Sequence, residues 1–379
     1  MNFNISAAVT IPSLSSVLGF GTQKGAESVP MPLMQIIYQS RDISADIAPY
    51  VTSVEYTDAL EGESDSLDIR LEDSDLRWQN DWYPDHGDVI NAKIGYVNAV
   101  MLPCGDFEVD EVELEGSRSS GDEVSIKALA AGVKSATRTK NGKAFDDTTL
   151  KGIAQIIAQN HKLKLQGEIE NINITRVTQA FETDLGFLKR VSSEYGYAFS
   201  IRGQSLCFFK REQLKNVKPT VLVSRTDVLS YRFRDKVKEV VKEAKATYHN
   251  PKTKTHVTHT SKDEASEKSS NRHSSDAHKV HVRAETPQQA KLKSQAALDK
   301  KNEDQTVGEL SLIGSPVLVS GINVQLQGFG KFDGKYTIHK SRHTASRSGY
   351  TTAIELKRVR TATSTATTST TTSTTGAAK

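Results

Sequence analysis

Apolar side chains at every second position are the feature that most constrains the fold of this chain. In the stretch "DSLDIRLED" (residues 65–73), leucine and isoleucine alternate with aspartate, arginine and glutamate. Successive side chains of a strand point to opposite faces, so this pattern predicts a strand with one buried and one hydrated face. Similar stretches fill residues 34–130 and return over residues 308–359. The chain is therefore predicted to be α+β but mainly β.

One predicted strand has an interrupted alternation. In "DFEVDEVELEG" (residues 106–116) the apolar residues lie at odd positions as far as Val109 and at even positions from Val112 onward. One extra residue in the strand would keep all of them on the same face. We therefore predict a β-bulge at Asp110 or Glu111.

A helical period replaces the strand period after residue 145. In "FDDTTLKGIAQIIAQNHKLKL", the residues Leu150, Ile153 and Ile157 are spaced so that they share one face of a helix. Asp147 or Thr148 is placed to cap its first turn. A small α/β unit is predicted to begin here, between the two β-rich parts.

The stretch "FETDLGFLKRVSSEYGYAFSIRGQSLCFF" (residues 181–209) predicts a short helix docked on a hairpin. Thr183 is placed to cap the helix, although Gly186 stands where a capping box has Glu or Gln, and Gly196 is placed to end it. Core placement accounts for the large side chains, so we interpret the unit as a packing module. The predicted buried residues are Leu188, Val191 and Tyr195 on the helix, and Tyr197, Phe199, Ile201, Leu206 and Phe208 on a hairpin that turns near Gly203.

Composition completes the predicted organisation. Residues 251–285 are rich in Ser, Thr, Lys and His, the last residues are almost all Thr, Ser and Ala, and Thr286 with Pro287 is placed to begin a further helix. The expected segments are an extended N-terminal arm (1–33), a first barrel-like tube domain (34–133), a small α/β domain (134–215), a second barrel-like tube domain (216–250 and 286–361), a polar mobile insertion (251–285) and a disordered Thr/Ser-rich tail (362–379).

Charge is divided unequally along the chain. Residues 1–130 contain 23 acidic and 7 basic residues, a net −16, whereas residues 131–379 contain 23 acidic and 42 basic residues, a net +19. This division predicts either two complementary surfaces or two solvated faces of opposite sign. The basic run from Lys242 to Lys301 lacks interleaved aromatic residues, and the acidic half is unusual for a nucleic-acid binder. No nucleic-acid readout is therefore predicted.

No metal or cofactor site is predicted. Cys104 and Cys207 stand far apart with no CxxC partner, so both are interpreted as small buried hydrophobic residues. The glycines of "GFGKFDG", Gly328, Gly330 and Gly334, miss the GxGxxG spacing and precede a strand pattern, which favours a hairpin turn over a phosphate loop. Six histidines lie in a polar stretch without cysteine or an HExxH motif, which favours a solvated loop: His249, His256, His259, His273, His278 and His281.

No catalytic residue and no stable membrane insertion are predicted. The N-terminus lacks the basic region and sustained apolar run of a signal peptide, and no stretch approaches the roughly 20 apolar residues of a spanning helix, so synthesis in a cytoplasm is expected. A cell-wall hydrolase needs only two carboxylates, so that alternative stays open. The dense carboxylates of one predicted strand are interpreted as a solvated face instead: Asp106, Glu108, Asp110, Glu111, Glu113 and Glu115.

Five blocks give the chain a family resemblance. They are "LEDSDLRWQNDWYPDHGDVINAKIGY", "LPCGDFEVDEVELEG", "SATRTKNGKAFDDTTLKGIAQIIA", "FETDLGFLKRVSSEYGYAFSIRGQSLCFF" and "GFGKFDGKYTIHKSRHTASRSGYTTAIELKRV". With these blocks in order, residues 34–360 resemble the late control gene D protein family of contractile-tailed phages, which is related to the N-terminal part of VgrG.

The resemblance implies a structural baseplate hub and no enzyme. Such hubs are trimers whose two tube domains per chain form a pseudo-sixfold ring between the hexameric tail tube and the trimeric spike. The implied partners are further copies of the chain, the spike protein, the tail tube or its initiator, other baseplate proteins and, as a further candidate, the tape measure protein. The alternatives are a VgrG-like spike component of a type VI secretion system and a hub that also hydrolyses cell wall.

Overall fold

The computed structural model describes residues 11–14, 30–61, 64–119, 121–130, 139–236, 240–250, 255–263, 277–281 and 284–360. The described chain is mainly β, as the alternating patterns predicted. The arm predicted at 1–33 lies mostly outside these residues, and the tail predicted at 362–379 lies wholly outside them.

The first part of the chain is a β unit with one short helix. Its core contains Ile36, Val54, Leu67, Ile94 and Phe107, all at most 2% exposed. Its elements are β1 (Pro32–Tyr38), β2 (Arg41–Asp42), α1 (Ser44–Ile47), β3 (Val51–Ala59), β4 (Ser66–Glu72), β5 (Val89–Tyr96), β6 (Leu102–Ser117) and β7 (Gly121–Ala130).

The middle part is an α/β unit in which both predicted helices form. Leu150, Ile153 and Ile157 are buried in its core together with Leu188 and Val191. Its elements are β8 (Lys140–Thr149), α2 (Leu150–Asn160), β9 (Lys164–Gln166), β10 (Asn173–Thr183), α3 (Asp184–Glu194), β11 (Tyr197–Arg202), β12 (Ser205–Lys210) and α4 (Arg211–Asn216).

The caps of the two middle helices differ in how well the sequence predicted them. Thr183 caps α3 as predicted, since its hydroxyl accepts a hydrogen bond from the Gly186 N–H. The predicted cap of α2 at Asp147 or Thr148 is wrong. Strand β8 continues to Thr149, whose hydroxyl accepts from the Gly152 N–H at 3.0 Å and so caps the helix instead.

The last part contains a second β unit and a separate small sheet. Leu310, Val324, Tyr336 and Ile354 lie in the core of the β unit. The elements are β13 (Val221–Ser224), β14 (Val228–Asp235), β15 (Glu243–Asn250), β16 (Thr255–Lys262), β17 (Ala277–His281), α5 (Pro287–Asn302), β18 (Thr306–Ile313), β19 (Asn323–Gln327), β20 (Gly334–Ser346) and β21 (Gly349–Arg358), with 3₁₀ turns at Arg225–Asp227 and Gly330–Phe332.

The prediction of a mobile polar insertion at 251–285 is wrong for two of its stretches. Thr255–Lys262 and Ala277–His281 are strands β16 and β17, which flank β15 in a three-stranded sheet. Helix α5, capped by Thr286, packs on this sheet, and the Ser261 and Ser294 hydroxyl oxygens lie 2.7 Å apart. The alternating Thr and Val of "THVTHTS" suit a strand, although the polar composition of the segment hides that signal.

A continuous sheet joins the first and second β units. Its strands follow the order β14-β18-β21-β20-β3-β4-β7-β6-β5-β1-β2, with β19 beside β20 and β13 beside β19. The join is the antiparallel pairing of β20 with β3, which runs from Lys340 opposite Ala59 to Ser346 opposite Ser53. The domain boundaries expected from the sequence stay predictions.

The two β units repeat one plan of strand pairing. In the first unit, β6–β7 has its register shift between Val109 and Glu111, which confirms the predicted bulge, and in the second unit β20–β21 has the same shift between Ile338 and Lys340. A second bulge lies near the start of β3 and again near the start of β14. The strands β3, β4, β7 and β6 of the first unit thus correspond to β14, β18, β21 and β20 of the second.

Candidate functional site

Eight strands of the continuous sheet present one polar face, which we call the polar sheet face. Two rows of residues that pair across adjacent strands, called rungs here, contain only polar side chains: Thr344–Glu55–Asp68–Lys127–Glu111 and Arg232–Glu309–Glu355–Lys340. The opposite face covers the two cores: the rung Leu312–Thr352–His343–Tyr56–Leu67–Ala128–Val109 is fully buried. The alternation therefore separates a hydrated face from the core across both units.

Charges of both signs are interleaved on the polar sheet face. The Lys127 ammonium lies 2.8 Å from the Glu113 carboxylate and 3.4 Å from that of Glu111, and the Arg342 guanidinium lies 3.2 Å from Glu55. The hydrogen bond from Lys127 lowers the pKa of Glu113. Charged and hydroxyl side chains along these rows suit this face to contact with water.

A buried polar junction connects all three units behind this face. Asp58 of β3 is 2% exposed and accepts hydrogen bonds from the backbone N–H (2.7 Å) and the hydroxyl (2.6 Å) of Ser320 in the second β unit. The Arg202 guanidinium of the α/β hairpin lies 3.3 Å from Asp58 and donates to the Ser320 hydroxyl at 2.9 Å. One carboxylate thus links three separate parts of the chain.

A second buried carboxylate, Asp65, lies in the same region. It is 3% exposed and accepts from the Ala59 N–H (3.2 Å) and the Tyr56 hydroxyl (3.3 Å). Burial, with the negative charge of Asp58 as a further cause, raises the pKa of Asp65 from 3.8 to about 7. Among the described residues Asp65 has no ion-pair partner, whereas Asp58 lies beside the Arg202 guanidinium.

A second junction surrounds Glu303, just after α5. Its carboxylate lies 2.8 Å from His339 of β20, 3.0 Å from Arg211 of α4 and 3.3 Å from Lys357 of β21. These groups hold the pKa of Glu303 well below its usual range, although burial alone would raise it. A cavity of about 350 Å³ adjoins the cluster. The Arg211 guanidinium also lies 2.7 Å from Glu61 of the first unit.

A match to a family model shows which protein family this chain belongs to. The model of the phage tail baseplate hub (GPD) matches residues 108–349, more than half of the chain. The chain belongs to the phage tail baseplate hub family. It is 30% identical over 214 residues to the probable baseplate hub protein of Escherichia phage P2, covering 55% of this chain and 54% of that protein. The chain spans about half the length of the curated relatives it matches.

Solved structures share the fold over most of this hub-family chain. The 43 kDa tail protein of prophage MuSo2 from Shewanella oneidensis superposes with a TM-score of 0.62 at 14% identity, over 87% of this chain and 99% of that one. A component of the type VI secretion system from E. coli gives a TM-score of 0.52 at 12% identity, over 81% and 73%. At such low sequence identities, these superpositions show a shared fold and nothing more.

The acidic strand singled out in the sequence lies at the end of the polar sheet face. Asp110, Glu111 and Glu115 are exposed and Glu113 is half-buried, on the second half of β6.

None of the carboxylates named from the sequence belongs to the buried pair, Asp58 and Asp65. Asp58 and Asp65 were missed, although Asp58 shares the parity of Val54 and Tyr56, and Asp65 shares that of Leu67. An acidic residue in phase with core residues was the available signal.

The other residues named from the sequence show no shared site among the described side chains. No group of three or more potential metal ligands occurs there, and four of the six histidines in the polar stretch belong to strands whose side chains lie outside the description. His273 lies outside it entirely.

The turn between β19 and β20 contains the three glycines named from the sequence, Gly328, Gly330 and Gly334, all with positive φ, as a tight turn requires. Across the described helices, none is long and apolar enough to cross a membrane.

Proposed function

We propose that this chain is a structural hub of a contractile phage tail baseplate and that three copies form a ring around a central channel. The observation that carries the proposal is the polar sheet face, which runs across eight strands of the continuous sheet and is built from two units with the same pairing plan. Two similar units per chain give six similar positions when three copies close.

The ring matches two symmetries. Its six similar β units suit a hexameric tail tube on one side, and its three identical chains suit a trimeric spike on the other. The polar sheet face lines the channel, where mixed charge keeps the wall hydrated. The hub joins tube to spike and presents the spike until contraction drives both through the target envelope. The tube-initiator protein, other baseplate proteins and the tape measure protein are the remaining proposed partners.

A cell-wall hydrolase is disfavoured by the burial of the carboxyl pair. Asp65 has the raised pKa of a general acid, but Asp58 and Asp65 are 2% and 3% exposed. A hydrolase must bring a glycosidic bond between its two carboxyl groups, which requires an open cleft. Asp58 instead connects the three units through Ser320 and Arg202. A VgrG-like spike component is the second candidate, supported by the fold shared with the E. coli secretion component.

Electron microscopy of the purified protein with and without its spike protein tests the hub. The expected result is a threefold ring with a central channel that the spike closes at one end. Mass photometry should give a trimer on addition of spike. A chain that stays monomeric with the spike across micromolar concentrations would refute the hub, and clearing of murein in a zymogram would support the hydrolase.

A further inference from the structure

We propose that the second half of β6 pairs with β14 of a neighbouring copy, in the register that β20 and β3 use within one chain. This inference rests on the proposed ring and names its subunit interface. Strand β14 lies at one end of the continuous sheet, and β6 is the last of the eight strands that carry the polar sheet face. No described strand pairs with the outer edge of β6 over Glu111–Gly116, beyond its pairing with β5, or with that of β14 over Leu229–Arg234. Open edges of this kind are templates for pairing with another chain.

The internal repeat supplies the geometry. Strand β20 pairs with β19 up to Thr337, passes its bulge, and then pairs with β3. Strand β6 likewise pairs with β5 up to Glu108 and passes the same bulge, but its second half then has no strand on that side among the described residues. The equivalent of β3 in the second unit is β14. The junction inside the chain is thus a template for the junction between chains.

Strand direction is compatible with ring closure. All seven pairings along β14-β18-β21-β20-β3-β4-β7-β6 are antiparallel, so the first and last of these eight strands point in opposite directions. Rotation about an axis along the strands preserves direction. The β6 of one copy and the β14 of the next therefore meet antiparallel, and each head-to-tail contact leaves the same pair of edges for the next copy.

The template register brings opposite charges together. Within the chain, Lys340, Arg342 and Thr344 face Ala59, Thr57 and Glu55. Transferring these positions by way of the matching bulges places three acidic residues of β6 opposite three basic residues of β14. The resulting pairs are Glu111 with Lys236, Glu113 with Arg234 and Glu115 with Arg232, all on the polar sheet face. Arg232 and Arg234 are exposed and form no ion pair within the described residues.

The same register matches the apolar sides. Leu114 of β6 is 51% exposed although its neighbour across the sheet, Val124, is buried. In the template register Leu114 faces Phe233, beside Tyr231, which is 46% exposed. The rings of Tyr231 and Phe233 pack edge-to-face with that of Phe329, at centroid distances of 5.3 and 5.2 Å, so the apolar surface that Leu114 would meet is already ordered. Pairing extends the core layer of one copy into the next.

Disulfide trapping tests the register directly. Glu115→Cys combined with Arg232→Cys should give a covalent trimer on mild oxidation of assembled rings, because directly opposite Cβ atoms lie about 4.5–5.5 Å apart. The matched control combines Glu115→Cys with Arg234→Cys, which the register places two residues apart, and Glu115→Cys alone reports any reaction with Cys207. Covalent trimer in the first variant and not in the controls supports the proposal.

Charge reversal tests the interface without new bonds. Glu115→Lys should weaken the trimer about tenfold, Arg232→Glu should do the same, and the doubly reversed chain should regain most of the loss, since it restores the opposite pair. Glu355→Lys, an exposed reversal in the middle of the same face, is the control and should leave assembly unchanged. If the wild-type chain forms rings, but the cysteine pair gives no covalent trimer and the charge reversals do not weaken assembly, this inference alone is overturned. If the wild-type chain forms no ring, the proposed hub is overturned as well.

Discussion

Replacing Asp65 by Asn should change the pH dependence of stability. The folded chain raises the pKa of this carboxyl from 3.8 to about 7, because Asp65 is buried near the charge of Asp58. Below about pH 4 both the folded and the unfolded states bind the proton, and the contribution of Asp65 is fully present. As the pH rises towards 7, the unfolded state releases its proton while the folded state retains it, so stability falls.

The magnitude follows from the two pKa values. Between the two pKa values, each pH unit lowers the free energy of unfolding by about 1.4 kcal/mol, and the loss levels off above the folded pKa of about 7. Between pH 5 and pH 8 the wild-type chain therefore loses about 3 kcal/mol of stability that the Asn variant does not lose. Asn keeps the carbonyl oxygen that accepts from the Ala59 N–H. The free energy of unfolding of Asp65→Asn, relative to that of wild type, should therefore be higher at pH 8 than at pH 5 by about this amount.

Urea denaturation at both pH values measures the effect as a difference between variants, which cancels the titration of all other groups. Glu355→Gln, an exposed carboxyl on the polar sheet face, is the control and should show the same stability difference at both pH values. Asp58→Asn should destabilise at both, since it weakens the contacts with Ser320 and Arg202. An Asp65→Asn difference that does not change with pH would refute the assignment of the proton to Asp65.

Further predictions concern the α/β core, the junction, assembly and metals. Leu188→Ala should cost about 2–5 kcal/mol and Val191→Ala about 1–3, because both are at most 1% exposed, and near-wild-type urea midpoints would contradict this. Arg202→Ala should cost about 1–3 kcal/mol by leaving Asp58 with a weaker set of partners, also read from urea midpoints. Raising salt from about 50 to 500 mM should slow ring assembly followed by light scattering and leave the monomer melting temperature unchanged, since screening acts on exposed charges. Chelator should change neither melting temperature nor assembly, whereas stoichiometric zinc by elemental analysis would show a metal requirement.

Local periodicity predicted the elements that depend on neighbouring residues. The bulge at Asp110 followed from the change of parity between Val109 and Val112, and the buried stripe of α3 followed from helical spacing. These features are set by which side of one element is apolar, so a short stretch of sequence contains the information. The cap of α2 was misplaced by one or two residues because several adjacent residues can cap equally well.

Long-range pairing was beyond such patterns. Nothing in the local sequence of β20 identifies β3 as its partner, since the two strands are nearly 300 residues apart. Local patterns likewise do not show that β15 pairs with β16 and β17, or that α5 packs on that small sheet. The sequence could indicate that Asp58 is buried, from its phase with core residues, but it could not indicate its partners, because Ser320 and Arg202 lie in other units.

The unequal division of charge has a specific consequence if both kinds of junction share one backbone plan. Identical geometry would let β6 pair with β3, or β20 with β14, as readily as with the correct partner. At the internal junction β20 contributes Lys340 and Arg342 and β3 contributes Glu55, whereas at the proposed junction β6 contributes acidic and β14 basic residues. Each wrong pairing would place like charges opposite one another, which is destabilising on adjacent strands. The acidic first unit and basic second unit therefore select which edges meet, and the repeated backbone determines how they meet.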